Sequence, residues 1–410
     1  KKSSLFAFMA IMAIFTACGD GGEDENILPP GTISSSSVVS SSSLDVSSSS
    51  TDGMMIVPGT GLAVKLQWLS DNAESDTEYL ILVDEAEAIA PHTLSYSGKT
   101  GISITLKGTG AERTVSLTQN GTLFEIQAGV TLTLGENITL TGSGTNTSEL
   151  VVVYNNGTLV MKDGAKITDN KRSGVYISGA NALFIMDGGE ITDNYHSTAS
   201  SAHGGGVSIM YRGSFVMNGG LIARNTVDNS VCGGGGVSVY RTRDDGAIAS
   251  FIMNGGEISD NITNGWSAYG GGVEIDGGTF TMNNGRISGN KMYHAYDGEI
   301  SGEGGGVFTL DGTFTMTGGV IAGNSAGWGG GVNLQRSVFE KTAGGGVIYG
   351  SNGGENANTA WDQYNDDTGS AIYFYNNLHR ETTVNADERL YAHVDYNTET
   401  YEGNWLEYYP

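Results

Sequence analysis

Between residues 170 and 340 apolar and polar positions alternate in short bursts, and the bursts return in one order: Val-x-Ile, Phe-x-Met, a lone Ile, then Asn. One copy reads Val207-x-Ile209, Phe215-x-Met217, Ile222 and Asn225, with a glycine run before its first burst. Each burst has the period of two that a strand requires, and each is only strand length. Copies aligned on Val175, Val207, Val237, Val273, Val307 and Val332 are separated by 25 to 36 residues. A helical-hairpin repeat holds its length because its helices pack at fixed register, whereas a coil of short strands admits extra chain wherever it turns outside the stack. The pattern therefore predicts three strands per turn, with the variation carried by loops.

Stacking the copies puts like on like. Phe184, Phe215, Phe251, Phe280, Phe314 and Phe339 form one column, Met186, Met217, Met253, Met282 and Met316 a second, and Ile167, Ile191, Ile222, Ile258, Ile287 and Ile321 a third. Columns of identical residues fill the interior of a coiled parallel sheet, so the predicted fold is all-β, a right-handed parallel β-helix (solenoid) with an N-terminal capping α-helix. The methionines are core by this reading and not a metal box, since no His or Cys accompanies them. The closing residues Asn170, Asn194, Asn225, Asn261, Asn290 and Asn324 suit a turn ladder: Asn tolerates the left-handed conformation and can bond to nearby backbone and to the amide one rung away. The alternative is a polar track for a ligand. Glycine pairs and triplets are turn devices, because a phosphate-cradling loop would need a helix start and usually a Lys after it.

Upstream, Ile102, Ile104 and Leu106, then Val130, Leu132 and Leu134, read as the first rungs. Leu62, Leu66, Leu69 and Trp68 fit one amphipathic helix, either a cap over the open end of the solenoid or a surface for a partner. The expected division is 1–18 signal, 19–58 tether, 59–75 capping helix, 76–354 β-helix and 355–410 last rungs and cap. AIYFYNN and RLYAHVDY supply that final part.

Lys1 and Lys2 precede an apolar run from Leu5 to Ala17, broken only by Thr16 and followed by Cys18. Such a run is too short to span a bilayer and right for a signal-peptide core. It resembles a bacterial lipoprotein signal, which implies lipid on Cys18 and a partner in the cell-envelope lipid; Phe15 stands where Leu is usual. The acidic, Ser-rich segment that follows has too few apolar residues to offset its ordering entropy. Its acidic start resembles the export signals of surface lipoproteins.

Charge and cysteine content narrow the chemistry. Twenty basic against 45 acidic residues give a net charge of −25, which excludes nucleic acid and disfavours a strongly anionic polysaccharide unless calcium bridges the contact. Cys232 is the only thiol besides Cys18, so neither an internal disulfide nor a cysteine zinc site is available once Cys18 carries lipid. No cofactor is expected, with calcium held weakly as the one possibility, at Asp169, Asp193 and Asp260 just before the ladder Asn. That stripe is broken by Arg224, Gly289 and Gly323.

Chain inserted between each Asn and the next glycine triplet does not repeat. These inserts bring Tyr195, His196, His203, Trp266, Tyr269, Tyr293, His294, Tyr296 and Trp328 to one edge of the coil. Aromatic rings there can stack on sugars or cover a partner's surface, or fold back to shield the sheet. Arg241, Arg243, Asp244 and Asp245 fall in one loop and read as solvated turn charge.

The Gly-Gly-Gly-Val strands, Phe-x-Met-Asn-Gly-Gly and Ile-x-x-Asn resemble the pectin-lyase-like β-helix repeats of bacterial surface lipoproteins, and more distantly those of chlamydial polymorphic outer-membrane proteins. The likeness covers residues 60 to 355. It implies a monomer anchored by lipid at the bacterial outer membrane, at the cell surface or facing the periplasm. The expected function is non-catalytic, adhesin-like binding of a glycan or a surface protein. The alternative is a polysaccharide lyase or glycoside hydrolase acting on plant or envelope polysaccharide.

Overall fold

A computed structural model describes residues 53–197, 202–240, 248–294, 299–341, 345–350, 353–360 and 371–375, with the backbone alone for 294, 374–375, 382–383, 389–390 and 401–402. Three long sheets wind around one core as a right-handed parallel β-helix. Each turn supplies one strand to each sheet, and the sheets are named here by the residues they point inward. The Val sheet has ten strands, from His92–Leu94 to Ile372–Tyr375. The Phe–Met sheet has eleven, from Met55–Ile56 to Val338–Lys341. The Ile sheet also has eleven and is parallel until its last strand, Tyr401–Glu402, which joins Val347–Ile348 antiparallel.

Pairing follows the aligned repeat. Phe184 pairs in register with Phe215 and Met186 with Met217, and the columns continue rung by rung to Phe314 and Met316. The stacked rings lie 4.6 to 4.9 Å apart and within 7° of parallel from Phe184 to Phe314. A column of this kind exists because a parallel ladder places equivalent residues one above another about 4.8 Å apart, near the ring-stacking distance. The methionines are buried throughout, as the core reading requires. Each glycine before an Ile strand leaves room for the methionine of the preceding turn. A Cβ on Gly220, where φ is +86°, would sit 2.5 Å from the Met186 Cε.

The Asn ladder is continuous and longer than expected, running from Asn146 to Asn358 with every member buried. From Asn194 on, each Asn gives both its backbone N–H and its Nδ2 to the Oδ1 of the next, at 2.9 to 3.1 Å. Nδ2 of Asn261 also donates to the carbonyl of Ile222 in the preceding turn. The left-handed residue, however, is the one before the Asn. Asp169, Asp193, Arg224, Asp260, Gly289 and Gly323 all have φ between +55° and +67°. Asp recurs there because it tolerates that conformation.

The helix Leu62–Asn72 buries Leu62, Leu66 and Leu69 in the core at the first turn, which is the cap expected. Its first N–H groups have no intrahelical partner, and Leu62 donates to Glu87 Oε2 at 2.7 Å. Residues 55–57, expected to belong to a tether, are part of the fold: Met55–Ile56 pairs with Tyr79–Leu80 and Val57 is buried. Ile372–Tyr375 pairs with Val332–Gln335 as a last rung. Cys18, the apolar run before it and residues 241–247 lie outside the described residues.

Candidate functional site

After Asn170 the chain returns to the Val sheet in four residues, but after each of the next five ladder asparagines it does not. The inserts that follow them, expected as loops, are strands. Tyr195–His196, Thr226–Asp228, Ile262–Gly265, Lys291–His294 and Ser325–Ala326, with Thr359–Ala360 after a sixth asparagine, Asn358, form a fourth parallel sheet. Ala202–His203, Val231–Gly233 and Ser267–Tyr269 form a fifth, which single parallel bridges extend to Glu303 and Trp328. The two share a small core of Ala202, Val227, Cys232, Ala268, Met292 and Ala326. Alternation accounts for it: Val227 and Met292 point in while Thr226 and Tyr293 do not.

This insert layer sorts the candidate residues into three environments. His196 is 5% exposed, and its Nδ1 lies 3.1 Å from the His203 carbonyl and 3.2 Å from Ser173 Oγ. Burial, helped by the Arg172 charge, lowers its pKa to about 4, so it is a neutral ring inside the layer and unavailable to a ligand on the edge. Tyr195, 38% exposed, faces outward and donates its hydroxyl to Asp228 Oδ2 one turn on. Burial and that carboxylate raise the phenol to about 12. Asn264 Nδ2 donates to the other oxygen of Asp228 at 3.3 Å, and Tyr293 follows Asn264 in register. Trp266, 58% exposed, stands at the corner between the two insert sheets. Tyr195, Asp228, Asn264 and Tyr293 thus line one face of the fourth sheet, with Trp266 beside it.

The third environment is the seam between the fifth sheet and the outer face of the Val sheet. His203, Gly233, Tyr269, Glu303 and Trp328 run in register along one side. Ser208, Ser238, Glu274, Phe308 and Asn333 form a buried outward column on the other. Glu274 is 2% exposed, and its Oε2 accepts from Ser238 Oγ at 2.7 Å and lies 2.9 Å from His203 Nδ1. Gly233 makes this possible, because a Cβ there would sit 2.1 Å from the Glu274 carboxyl carbon. Burial opposes the charge on His203, but the Glu274 carboxylate, with Asp276 beyond it, outweighs burial and holds the ring's pKa above its ordinary value. His203 also packs on Tyr240 at 5.0 Å, and Tyr269 on Phe308 at 4.7 Å. Glu303 accepts from Gln335, and burial pushes its carboxyl up to about 7.

Chemically the seam is a clamp. Ser238 bonds to the Glu274 carboxylate and not to the imidazole, so no Ser–His–Glu relay is assembled. Burial raises the Cys232 thiol to about 12, which makes it an inert core residue. Asp193 carries a two-pronged pairing from Arg224 at 2.9 and 3.0 Å, which occupies both of its oxygens. Among the described residues no group of three or more His, Cys, Asp or Glu is placed to hold a metal. Tyr296 lies outside the described residues. His294 ends a strand of the fourth sheet, and Trp328 ends the seam column, half-buried.

Sequence reasoning missed Asp228, Asn264, Ser238, Glu274 and Glu303. The first two sit at one strand position in consecutive inserts, and an alignment of the inserts themselves would have exposed them. Compared with known proteins, the chain matches no family model, no curated protein and no solved structure.

Proposed function

We propose that this is a lipid-anchored surface protein, held at the outer membrane through Cys18, that binds a glycan on the outward face of its insert layer. Supporting this is one arrangement: Tyr195 and Tyr293 stand either side of the hydrogen-bonded Asp228–Asn264 pair on one rigid sheet face, with Trp266 exposed beside them. Rings supply flat apolar contact for sugar C–H faces, and the carboxylate and amide supply directional bonds to hydroxyls. The Gly-Gly-Gly-Val and Phe-x-Met repeats that resemble pectin-lyase-like surface lipoproteins fit this role. The acidic chain favours a neutral sugar. The test is binding of the chain to an array of soluble glycans: W266A/Y293A should lose at least about tenfold in affinity with the urea midpoint unchanged. Undiminished binding by that variant would remove the face from consideration.

A hydrolytic reading draws on one observation, the Glu303 carboxyl raised to about 7 within the seam, where a general acid would need it. Release of reducing ends from a bound glycan by the wild type but not by E303Q would favour it.

A further inference from the structure

The outer face of the Phe–Met sheet takes no part in the insert layer, and its composition differs from the rest of the surface. Over eight successive strands, from Ile102–Gly108 to Thr313–Met316, the register aligns two outward columns. All sixteen positions are uncharged: eleven are Ser or Thr and five are Val, Leu or Ile. Carboxylates stand in these columns only beyond the two ends, at Glu78 and Glu340. In a chain of net charge −25, that is a long neutral strip. Seven steps of about 4.8 Å make it roughly 34 Å long.

Two further observations point to an occupant. Of the eleven hydroxyls only those of Ser214, Ser250 and Thr315 bond to another side chain, so the others keep their hydrogen-bonding capacity for something outside the protein. Along one border runs an exposed ladder in which Asn218 donates to Asp187, Asn254 to Asn218 and Asn283 to Asn254 at 2.7 to 2.8 Å, a straight row of amides beside the hydroxyls. A strip that is straight, uncharged and evenly set with methyl and hydroxyl groups complements an extended, uncharged, hydroxyl-bearing polymer. A second copy of the chain fits less well, because two bodies each of charge −25 repel.

We propose that this face docks a neutral polysaccharide lying along the solenoid axis, at a site separate from the insert layer. The methyls of Thr, Val and Ile meet the apolar faces of the sugar rings while the free hydroxyls and the amide border bond to sugar hydroxyls.

The test uses depletion of the full chain from solution by microcrystalline cellulose, starch granules and insoluble mannan. Retention is expected on at least one of the three. V216K/T281K, which puts two ammonium groups into the strip, should be retained about tenfold less than the wild type. T133K, at the other end of the strip, should also lose retention and decides the matter if circular dichroism shows the double variant unfolded. W266A/Y293A should keep its retention, which separates this site from the insert face. The proposal is overturned if the wild type is retained by none of the three, or if folded V216K/T281K or T133K is retained equally. It is also overturned if sedimentation shows a wild-type dimer that these variants dissociate, which would give the face to a second copy.

Discussion

The three-sheet coil and the insert layer are both stacks of parallel strands, yet one is written in repeats and the other is not. In the coil each inward position faces its own copy above and below, so any departure leaves a mismatch on two sides; Phe, Met, Ile and Asn recur for that reason. The insert layer keeps only a loose rule, small or apolar inside at Ala202, Val227, Ala268, Met292 and Ala326. Its outward and seam positions differ from turn to turn, and the interactions there reach across turns. Repetition marks where the fold is over-determined, and its loss marks where the chain is free to acquire chemistry.

The largest effect that would break this comparison lies in the coil. Asn261→Ala strips the Asn225 N–H and Nδ2 of their acceptor and the Ile222 carbonyl of its donor, all in a buried turn. A loss of about 3 to 5 kcal/mol is expected from urea unfolding. A cost below about 1 kcal/mol would mean that the ladder is incidental to stability.

A smaller loss is expected at the junction of the two regions. Gly233→Val places atoms where the Glu274 carboxyl now runs, so the clamp must open while the coil beneath remains. About 1 to 3 kcal/mol is predicted, with proteolysis within the inserts 195–203, 226–233 and 262–269 rising before the coil strands between them are cut. Equal protection of both regions would show that the layer does not depend on the clamp.

The smallest effect sharpens the comparison through pH. The folded pKa of His203 lies above its ordinary 6.5, so its contribution is fully present below about 6.5 and is lost as pH rises through the folded value. His196 works in the other direction: with a folded pKa of about 4, stability declines as pH falls from about 6.5 toward 4. Glu274→Gln should abolish the first dependence and leave the second. Proton NMR titration of the imidazoles reads this directly, and a His203 pKa that stays above 6.5 in the variant would assign its shift to some other group.

How much was legible follows the same line. Phe251, Met253, Ile258 and Asn261 could be placed from sequence because each matches its neighbours a turn away. The extra strands could not, since short strands such as Tyr195–His196 and Ile262–Gly265 carry no residue that recurs from one turn to the next. Asp169, Asp193 and Asp260 suggested a cation stripe because their chemistry was weighed and their backbone was not; φ near +55° explains them, and Arg224 and Gly289 at the same place meet the same demand. His196 and His203, seven residues apart, looked alike in sequence. One is sealed inside a strand pair and the other reaches a carboxylate two turns away, a distinction that only the register of the layer makes.

The Asn ladder also bears on how such a chain can change over generations. Asn261 accepts from Asn225 in the turn before, donates to Asn290 in the turn after and donates again to the Ile222 carbonyl. Half a turn added or removed would leave these bonds with no counterpart, whereas a whole turn carries its own Asn and restores every one. Inheritance can therefore alter the number of turns in the coil only by whole units, through duplication or loss of the coding segment. The segments between Asn and glycine triplet are exempt from that rule and can be rewritten one residue at a time.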